Sequence, residues 1–315
     1  MKLLTRLIKI LLLSIGLLAV FIVSFYGFSD IPVNKLKVKY AQPPSSFISI
    51  NGLDVHYRDE GILADTLPIV LIHGTGSSLH TFNEWSAVLK NEYRVVRMDL
   101  PAFGLTGPFP NRDYSIENYV VFIEQFLSSK GIKRCILSGN SLGGEIAWRF
   151  TVKNPEVVEK LILIDATGYP NEAKSQPIAF TIARTPILNK LMTFITPRFV
   201  VQASLENVYV DKTKVTDALV DRYFELTLRE GNRQALVDRM MLGMATSPFH
   251  LIKNIQQPTL VLWGEQDLLI PIKNARRFHK DLPNGSLAIL KNVGHVPMEE
   301  SPNESLATLL AFLKK

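Results

Sequence analysis

Between residues 69 and 164 the chain switches repeatedly between two hydrophobic periods, and this switching restricts its possible folds more than any other feature. Short runs rich in apolar residues at 69–73, 94–98 (with Arg94 and Arg97), 135–138 and 161–164 have the length of buried strands. Between them, 79–90, 116–130 and 142–153 carry the spacing of helices with one covered face. Strands apolar on both faces, separated by helices, must run parallel, because each helical crossover returns the chain to the same end of the sheet and covers a face on the way. The pattern resumes with a strand at 259–263, a helix near 272–280, a strand at 287–290 and a closing helix at 302–313. Upstream, 47–50 and 53–58 flank Asn51-Gly52, a pair that supplies the positive φ angles of a two-residue hairpin. The expected fold is therefore α/β: a mostly parallel sheet with helices on both faces, opened by antiparallel strands.

The stretch 169–251 breaks the alternation. Val215, Leu219, Tyr223 and Leu226 keep helical spacing and no strand run is present, so this interval is expected to be a helical insertion, a lid. Its residues Phe180, Ile182, Ile187, Leu188, Leu191, Met192, Phe194 and Ile195 either wall an acyl-chain site or serve ordinary helix packing.

At the N-terminus Lys2, Arg6 and Lys9 precede an uncharged run at 10–28, whose 19 residues are about enough to cross a hydrocarbon core ~30 Å thick. A retained transmembrane helix within 1–29 is expected. The rival is a cleaved signal peptide, but such apolar regions are shorter and end in an Ala-x-Ala-like site, whereas this run ends Phe25-Tyr26-Gly27-Phe28-Ser29. Lys35, Lys37 and Lys39 lie on the far side, yet the near-side positives sit closer, which favours N-inside. The catalytic body would then stand outside the cytoplasm on a bacterial inner membrane, with secretion after cleavage as the alternative. Pro32, Pro43 and Pro44 among alternating lysines predict an extended tether at 30–45. The division is thus anchor 1–29, tether 30–45, sheet core 46–168 and 252–315, and lid 169–251.

Composition excludes several function classes. The net charge of +6 arises from 35 basic and 29 acidic residues scattered along the chain, without the basic, aromatic-interleaved groove that nucleic acid requires. The single cysteine, Cys135, sits in an apolar run and reads as a buried hydrophobe, so no internal disulfide can form. His56, His73, His80, His250, His279 and His295 show no ligand spacing, so no metal is expected. Gly74-x-Gly76 lacks the further glycines of a dinucleotide loop, and no cofactor is expected.

Gly139-Asn140-Ser141-Leu142-Gly143 matches G-x-S-x-G directly between a strand and a helix. A strained turn there lifts the serine oxygen out of the sheet, and small residues two positions either side let strand and helix approach. Ser141 is the candidate nucleophile, at a helix N-terminus whose dipole favours a developing anion.

With this elbow, the alternation, the His73-Gly74 loop and a downstream acid and histidine, residues 46 to 315 resemble the α/β-hydrolase family. The resemblance implies an eight-stranded-type sheet and a triad in the order Ser, Asp, His. It assigns the acid to Asp267, in Gly264-Glu265-Gln266-Asp267 after a strand, and the general base to His295, in Gly294-His295-Val296-Pro297 after the last strand. Glu265 and Asp165 are rivals for the acid. The implied oxyanion hole uses the backbone amides of Leu142 and of Thr75 in the His73-Gly74-Thr75-Gly76 loop. Asp99 and Gly104 resemble a structural turn of the family, with Ala102 where a glycine is frequent.

A serine is a poor nucleophile unless an imidazole takes its proton, and a carboxylate must fix that imidazole's tautomer. Serine at the elbow argues against epoxide hydrolases and haloalkane dehalogenases of this fold, which use aspartate there. The main expectation is a carboxylesterase or lipase acting through an acyl-enzyme on a small-molecule ester or lipid. Gly139 to Gly144 also resemble hydrolases that cleave carbon–carbon bonds of 2-hydroxy-6-oxo-dienoates, although those commonly carry tryptophan where Val296 follows the histidine. A binding protein that kept the fold and lost the reaction is the alternative from another class.

Overall fold

The computed structural model describes residues 2–170, 173–242 and 247–315. Helix α1 (Lys2–Tyr26) is followed by α2 (Val33–Tyr40) and the strands β1 (Ser45–Ile50), β2 (Leu53–Gly61) and β3 (Ile69–Ile72). The alternating stretch then runs α3 (Asn83–Leu89), β4 (Arg94–Met98), α4 (Ile116–Ser129), β5 (Cys135–Asn140), α5 (Leu142–Lys153), β6 (Val158–Ile164). Helices α6 (Ile178–Arg184), α7 (Leu188–Leu191), α8 (Arg198–Val208), α9 (Asp217–Thr227) and α10 (Asn232–Met241) form an insertion before β7 (Thr259–Gly264). The chain closes with α11 (Lys273–Asp281), β8 (Gly285–Leu290), α12 (Pro297–Glu300) and α13 (Pro302–Leu313).

The strands form one eight-stranded sheet in the order β1-β2-β4-β3-β5-β6-β7-β8. β1 and β2, and β2 and β4, pair antiparallel, and every pair from β4 to β8 is parallel. The hairpin turns where expected, with φ of 50° at Asn51 and 80° at Gly52. β3, β5 and β7 are buried throughout, which is why their sequences are apolar without alternation. Alternate residues of β3 enter opposite layers: Val70 and Ile72 pack with Leu137 and Trp148, while Ile69 and Leu71 pack with Phe82 and Trp85. Because β4 lies on one side of β3 and β5 on the other, the winding reverses at β3. Ligand crevices form at the carboxyl ends of strands at such a reversal.

One expectation fails. The segment predicted to be an extended tether contains the two-turn helix α2. Pro32 precedes it with φ of −55°, a value compatible with helix entry, and Leu36 and Tyr40, four apart, share a buried face against Leu105 and Leu226. Two of the lysines that suggested an extended linker are paired on the body: Lys37 reaches Asp54 at 2.9 Å and Lys39 reaches Glu225 at 2.8 Å. Smaller shifts follow from local geometry. The predicted helix at 79–90 begins as a 3-10 turn at Leu79–Phe82, and β6 starts at Val158 rather than 161.

Candidate active site

Ser141 occupies the step from β5 to α5 with φ 55° and ψ −116°, a conformation strained for any residue bearing a Cβ. Tertiary bonds hold it there: its N–H donates to Ile164 O at 3.0 Å, and its carbonyl accepts from Thr167 N at 3.1 Å. A Cβ on Gly143 would overlap the carbonyl oxygen of Ile72, so the small residue permits α5 to pack against β3.

His295 lies between β8 and α12, and its Nδ1 bonds Asp267 Oδ2 at 2.7 Å. Asp267 follows β7 and is itself fixed, since its Oδ1 accepts the N–H groups of Leu269 and Ile270 at 2.8 and 2.9 Å. With Nδ1 facing a carboxylate, Nε2 is the imidazole nitrogen left to serve as a base. Ser141 and His295 both line one cavity of about 110 Å³, whose other walls are mostly apolar, among them Phe180, Met192, Val200, Val201 and Leu205 of the insertion.

Of the rival acids, Glu265 is exposed. Asp165 is fully buried at the end of β6, where its Oδ1 accepts Gly264 N–H at 3.0 Å and its Oδ2 has no partner. Burial, then the neighbouring charge of Asp267, pushes its carboxyl well above the usual range. Asp165 thus stands beside Asp267, while the bond to His295 comes from Asp267. Ligand atoms of Asp165, Asp267 and His295 lie within 4.8 Å of one another, but N–H donors already engage Asp165 Oδ1 and Asp267 Oδ1. His295 Nδ1 engages Asp267 Oδ2 in turn. Asp165 Oδ2 has no partner, and His295 keeps Nε2 besides.

Thr75 lines the same cavity as Ser141. A Cβ on Gly74 would stand 3.0 Å from Ser141 Cβ, so this loop passes directly against the elbow. It is braced from below: His73 Nδ1 bonds Gly74 O at 2.8 Å, and Leu100 N–H donates to His73 Nε2 at 2.9 Å, a neutral tautomer that burial favours by lowering the imidazole pKa. It is braced from the insertion by Tyr223, whose hydroxyl lies 3.1 Å from Ser77 Oγ. Leu142 begins α5 immediately after the serine. Asp99 stays structural in geometry, accepting Leu79 N–H at 2.7 Å and Leu105 N–H at 2.8 Å. Burial pushes the Cys135 thiol up to about 12, which leaves it unreactive near neutrality.

Two residues escaped sequence reasoning. Asn140 donates through Nδ2 to His295 O at 3.0 Å and to Ile164 O at 3.2 Å, tying the elbow to the histidine loop. Glu300, 1% exposed, accepts Gly294 N–H at 2.6 Å through Oε2 and the N–H groups of Val210 and Asp211 at 2.8 Å through Oε1. Asn140 stood inside the motif and could have been questioned as a polar residue at the end of a buried strand. Glu300 carried no signal, being one acid of a pair near a helix start.

A family model for the alpha/beta hydrolase family matches residues 69–309. The chain belongs to this family. The hydrolase is 27% identical over 278 residues to the 2-hydroxy-6-oxo-6-(2'-aminophenyl)hexa-2,4-dienoic acid hydrolase of Metapseudomonas resinovorans, covering 85% of this chain and 90% of that one. It is 25% identical over 276 residues to Lipase 1 of Psychrobacter immobilis, covering 83% and 81%. Among solved structures, a membrane phospholipase A described as a bacterial virulence factor superposes with a TM-score of 0.73 at 26% identity, over 99% of this hydrolase and 98% of that chain.

Proposed function

We propose that this hydrolase cleaves carboxylic esters through an acyl-enzyme on Ser141. The observation that carries the reading is the 2.7 Å bond between His295 Nδ1 and Asp267, with His295 and Ser141 on the same apolar-lined cavity. His295 Nε2 takes the proton of Ser141 Oγ as the oxygen attacks the ester carbonyl, and returns it to the departing alcohol. Water then attacks the acyl-enzyme by the same relay, releasing the acid and restoring the serine. Asp267 steadies the imidazolium, and the backbone N–H groups of Leu142 and Thr75 receive the tetrahedral oxyanion.

Carbon–carbon cleavage is the second reading, favoured by the dienoic acid hydrolase among the relatives. Its substrate carries a carboxylate that must be paired when buried, and neither lysine nor arginine is among the described residues that line the cavity. An uncharged acyl chain fits that lining better. Helix α1 is long and apolar enough to cross a membrane, as a signal sequence is too. The residues that follow it are hydrogen-bonded into the body, Phe28 N to Phe194 O at 3.0 Å and Ile31 N to Leu228 O at 2.7 Å, which supports a retained anchor with the body on the far side.

The test is turnover of p-nitrophenyl esters from acetyl to palmitoyl by the full-length chain in detergent, beside Ser141→Ala. Activity that falls by roughly 10⁶-fold, to background, in the variant supports the reading, and the chain-length optimum separates esterase from lipase. Turnover of a 2-hydroxy-6-oxo-dienoate without any ester turnover replaces it with the second reading. Intact mass of the membrane-extracted chain, starting at Met1 or past residue 28, decides between anchor and signal.

A further inference from the structure

The helical insertion has two apolar faces. The inner one walls the cavity. On the outer one Ile187 is 73% exposed, Phe194 69% and Phe199 58%, with Leu188 and Leu191 nearly half exposed. Isolated apolar residues on a surface need no explanation, but a contiguous group on adjacent helices marks a contact site. Ile187 adds backbone strain, with φ of 73° in a β-branched residue.

This face is continuous with the exit of α1. Phe28 N donates to Phe194 O at 3.0 Å, Thr196 N donates to Tyr26 O at 3.2 Å, and the Tyr26 ring meets Phe199 edge-on with centroids 5.9 Å apart. Glu230 N donates to Ile31 O at 3.0 Å and Arg233 pairs with Asp30 at 2.7 Å, so the exit is clamped to the insertion from two sides. Among the described residues of the apolar window of α1, Leu3–Tyr26, none is buried in the protein. Wherever the end of that helix lies, Phe194 and Phe199 lie within a side chain's reach of it.

Charge identifies the occupant. From 173 to 205 the insertion carries Lys174, Arg184, Lys190 and Arg198, and carboxylates stand at the borders of that stretch, Glu172 before it and Glu206 within α8. Arg198 is committed to Asp217 and Asp221, while Arg184 and Lys190 are exposed beside the apolar face. Aromatic and aliphatic side chains flanked by cations, continuous with the exit of an apolar helix, suit the boundary between phosphate headgroups and acyl chains.

We infer that the outer face of the insertion, centred on Ile187, Leu191, Phe194 and Phe199, docks into the interfacial layer of the phospholipid bilayer that α1 crosses. The inference rests on the anchor reading above. It places α6, α7 and α8 between lipid and cavity, with one face on each.

Tryptophan fluorescence in vesicles of phosphatidylcholine and phosphatidylglycerol with brominated acyl chains tests it on the full-length chain. Trp85, Trp148 and Trp263 are fully buried in the body, so the parent gives an unquenched baseline. Ile187→Trp and Phe194→Trp report the face, Phe25→Trp reports α1, and turnover of a short soluble ester confirms that each variant is folded. The expected result is added fluorescence quenched by bromine at all three positions. Quenching of Phe25→Trp with none at 187 and 194 overturns the docking and leaves the anchor standing, the face then meeting water or a second copy. Loss of quenching at Phe25→Trp as well overturns the anchor, and the docking with it.

Discussion

Glu300→Gln tests whether a carboxylate outside the cavity holds the histidine loop in place. In the structure one buried side chain accepts three backbone N–H groups, one from Gly294 beside His295 and two from Val210 and Asp211 at the end of the insertion's first half. Glutamine keeps one carbonyl oxygen and presents an NH₂ at the other site, so either Gly294 or the Val210–Asp211 pair faces a donor. Losing a charge-assisted bond costs about 1.5–3 kcal/mol, and a buried N–H left without an acceptor costs about 1–3 kcal/mol more. The expected destabilisation is about 3 kcal/mol, a fall in Tm of roughly 6–10 °C for a body of this size. Because Gly294 precedes His295, the proposed base, kcat is expected to fall by roughly 10- to 100-fold through misplacement of the imidazole, with KM little changed. Thermal unfolding followed by near-ultraviolet circular dichroism, with ester turnover on the same detergent-solubilised samples, reads both effects. Glu92→Gln, at an exposed position, is the control for loss of one charge. If Glu300→Gln melts within about 1 °C of the control and keeps its kcat, these bonds do not hold the loop and the reasoning is wrong.

Asp165→Asn preserves the acceptor for Gly264 N–H and supplies an NH₂ toward Asp267, so it is expected to keep kcat near the parent's, whereas Asp267→Asn should lose about 10⁴-fold; equal losses would transfer the acid role to Asp165. Its pH dependence has a definite sign: the raised folded pKa means the folded chain holds a proton the unfolded chain releases above 3.8, so the parent loses stability as pH climbs past that value. The variant does not titrate there, and denaturant midpoints should show its advantage growing with pH. At Ser141, where φ is 55°, glycine relieves strain that alanine keeps, so Ser141→Gly should unfold about 1 kcal/mol later than Ser141→Ala, opposite to the usual order within folded chains. Cys135 should resist an aromatic disulfide reagent in the native chain and react only with unfolding; prompt native labelling would contradict its burial.

What was legible in the sequence depended on how far apart the deciding residues are. Strands and helices of the sheet were readable because burial on both faces writes itself into four or five consecutive residues, as in β3 and β5. The elbow was readable because the crowding of Gly139 and Gly143 is local to β5, α5 and the adjoining strand. Helix α2 was misread because eight residues with three lysines carry little periodicity, and what makes them helical is Leu36 and Tyr40 meeting Leu105 and Leu226 far along the chain. The roles of Asn140 and Glu300 were missed for the same reason, since His295 and Val210, which they bond, lie 155 and 90 residues away.

The parallel sheet also explains why two acids sit side by side while one bonds the histidine. Ser141, Asp165, Asp267 and His295 follow β5, β6, β7 and β8, so parallel pairing delivers all four to one end of the sheet. β6 and β7 are adjacent and in register, Ile164 opposite Leu262, which brings the carboxyls that follow them close together. Burial and the neighbouring Asp267 charge push the Asp165 carboxyl up, and the two acids differ in their donors. Asp267 has Leu269 and Ile270 N–H on one oxygen and the imidazole on the other; Asp165 has a single N–H from Gly264. Deleting the Asp267 carboxyl removes the second of the two causes that raise the Asp165 carboxyl, burial remaining the first. Residual activity in Asp267→Ala, absent from Asp267→Ala with Asp165→Asn, would show that the acid site of one strand can be served from its neighbour.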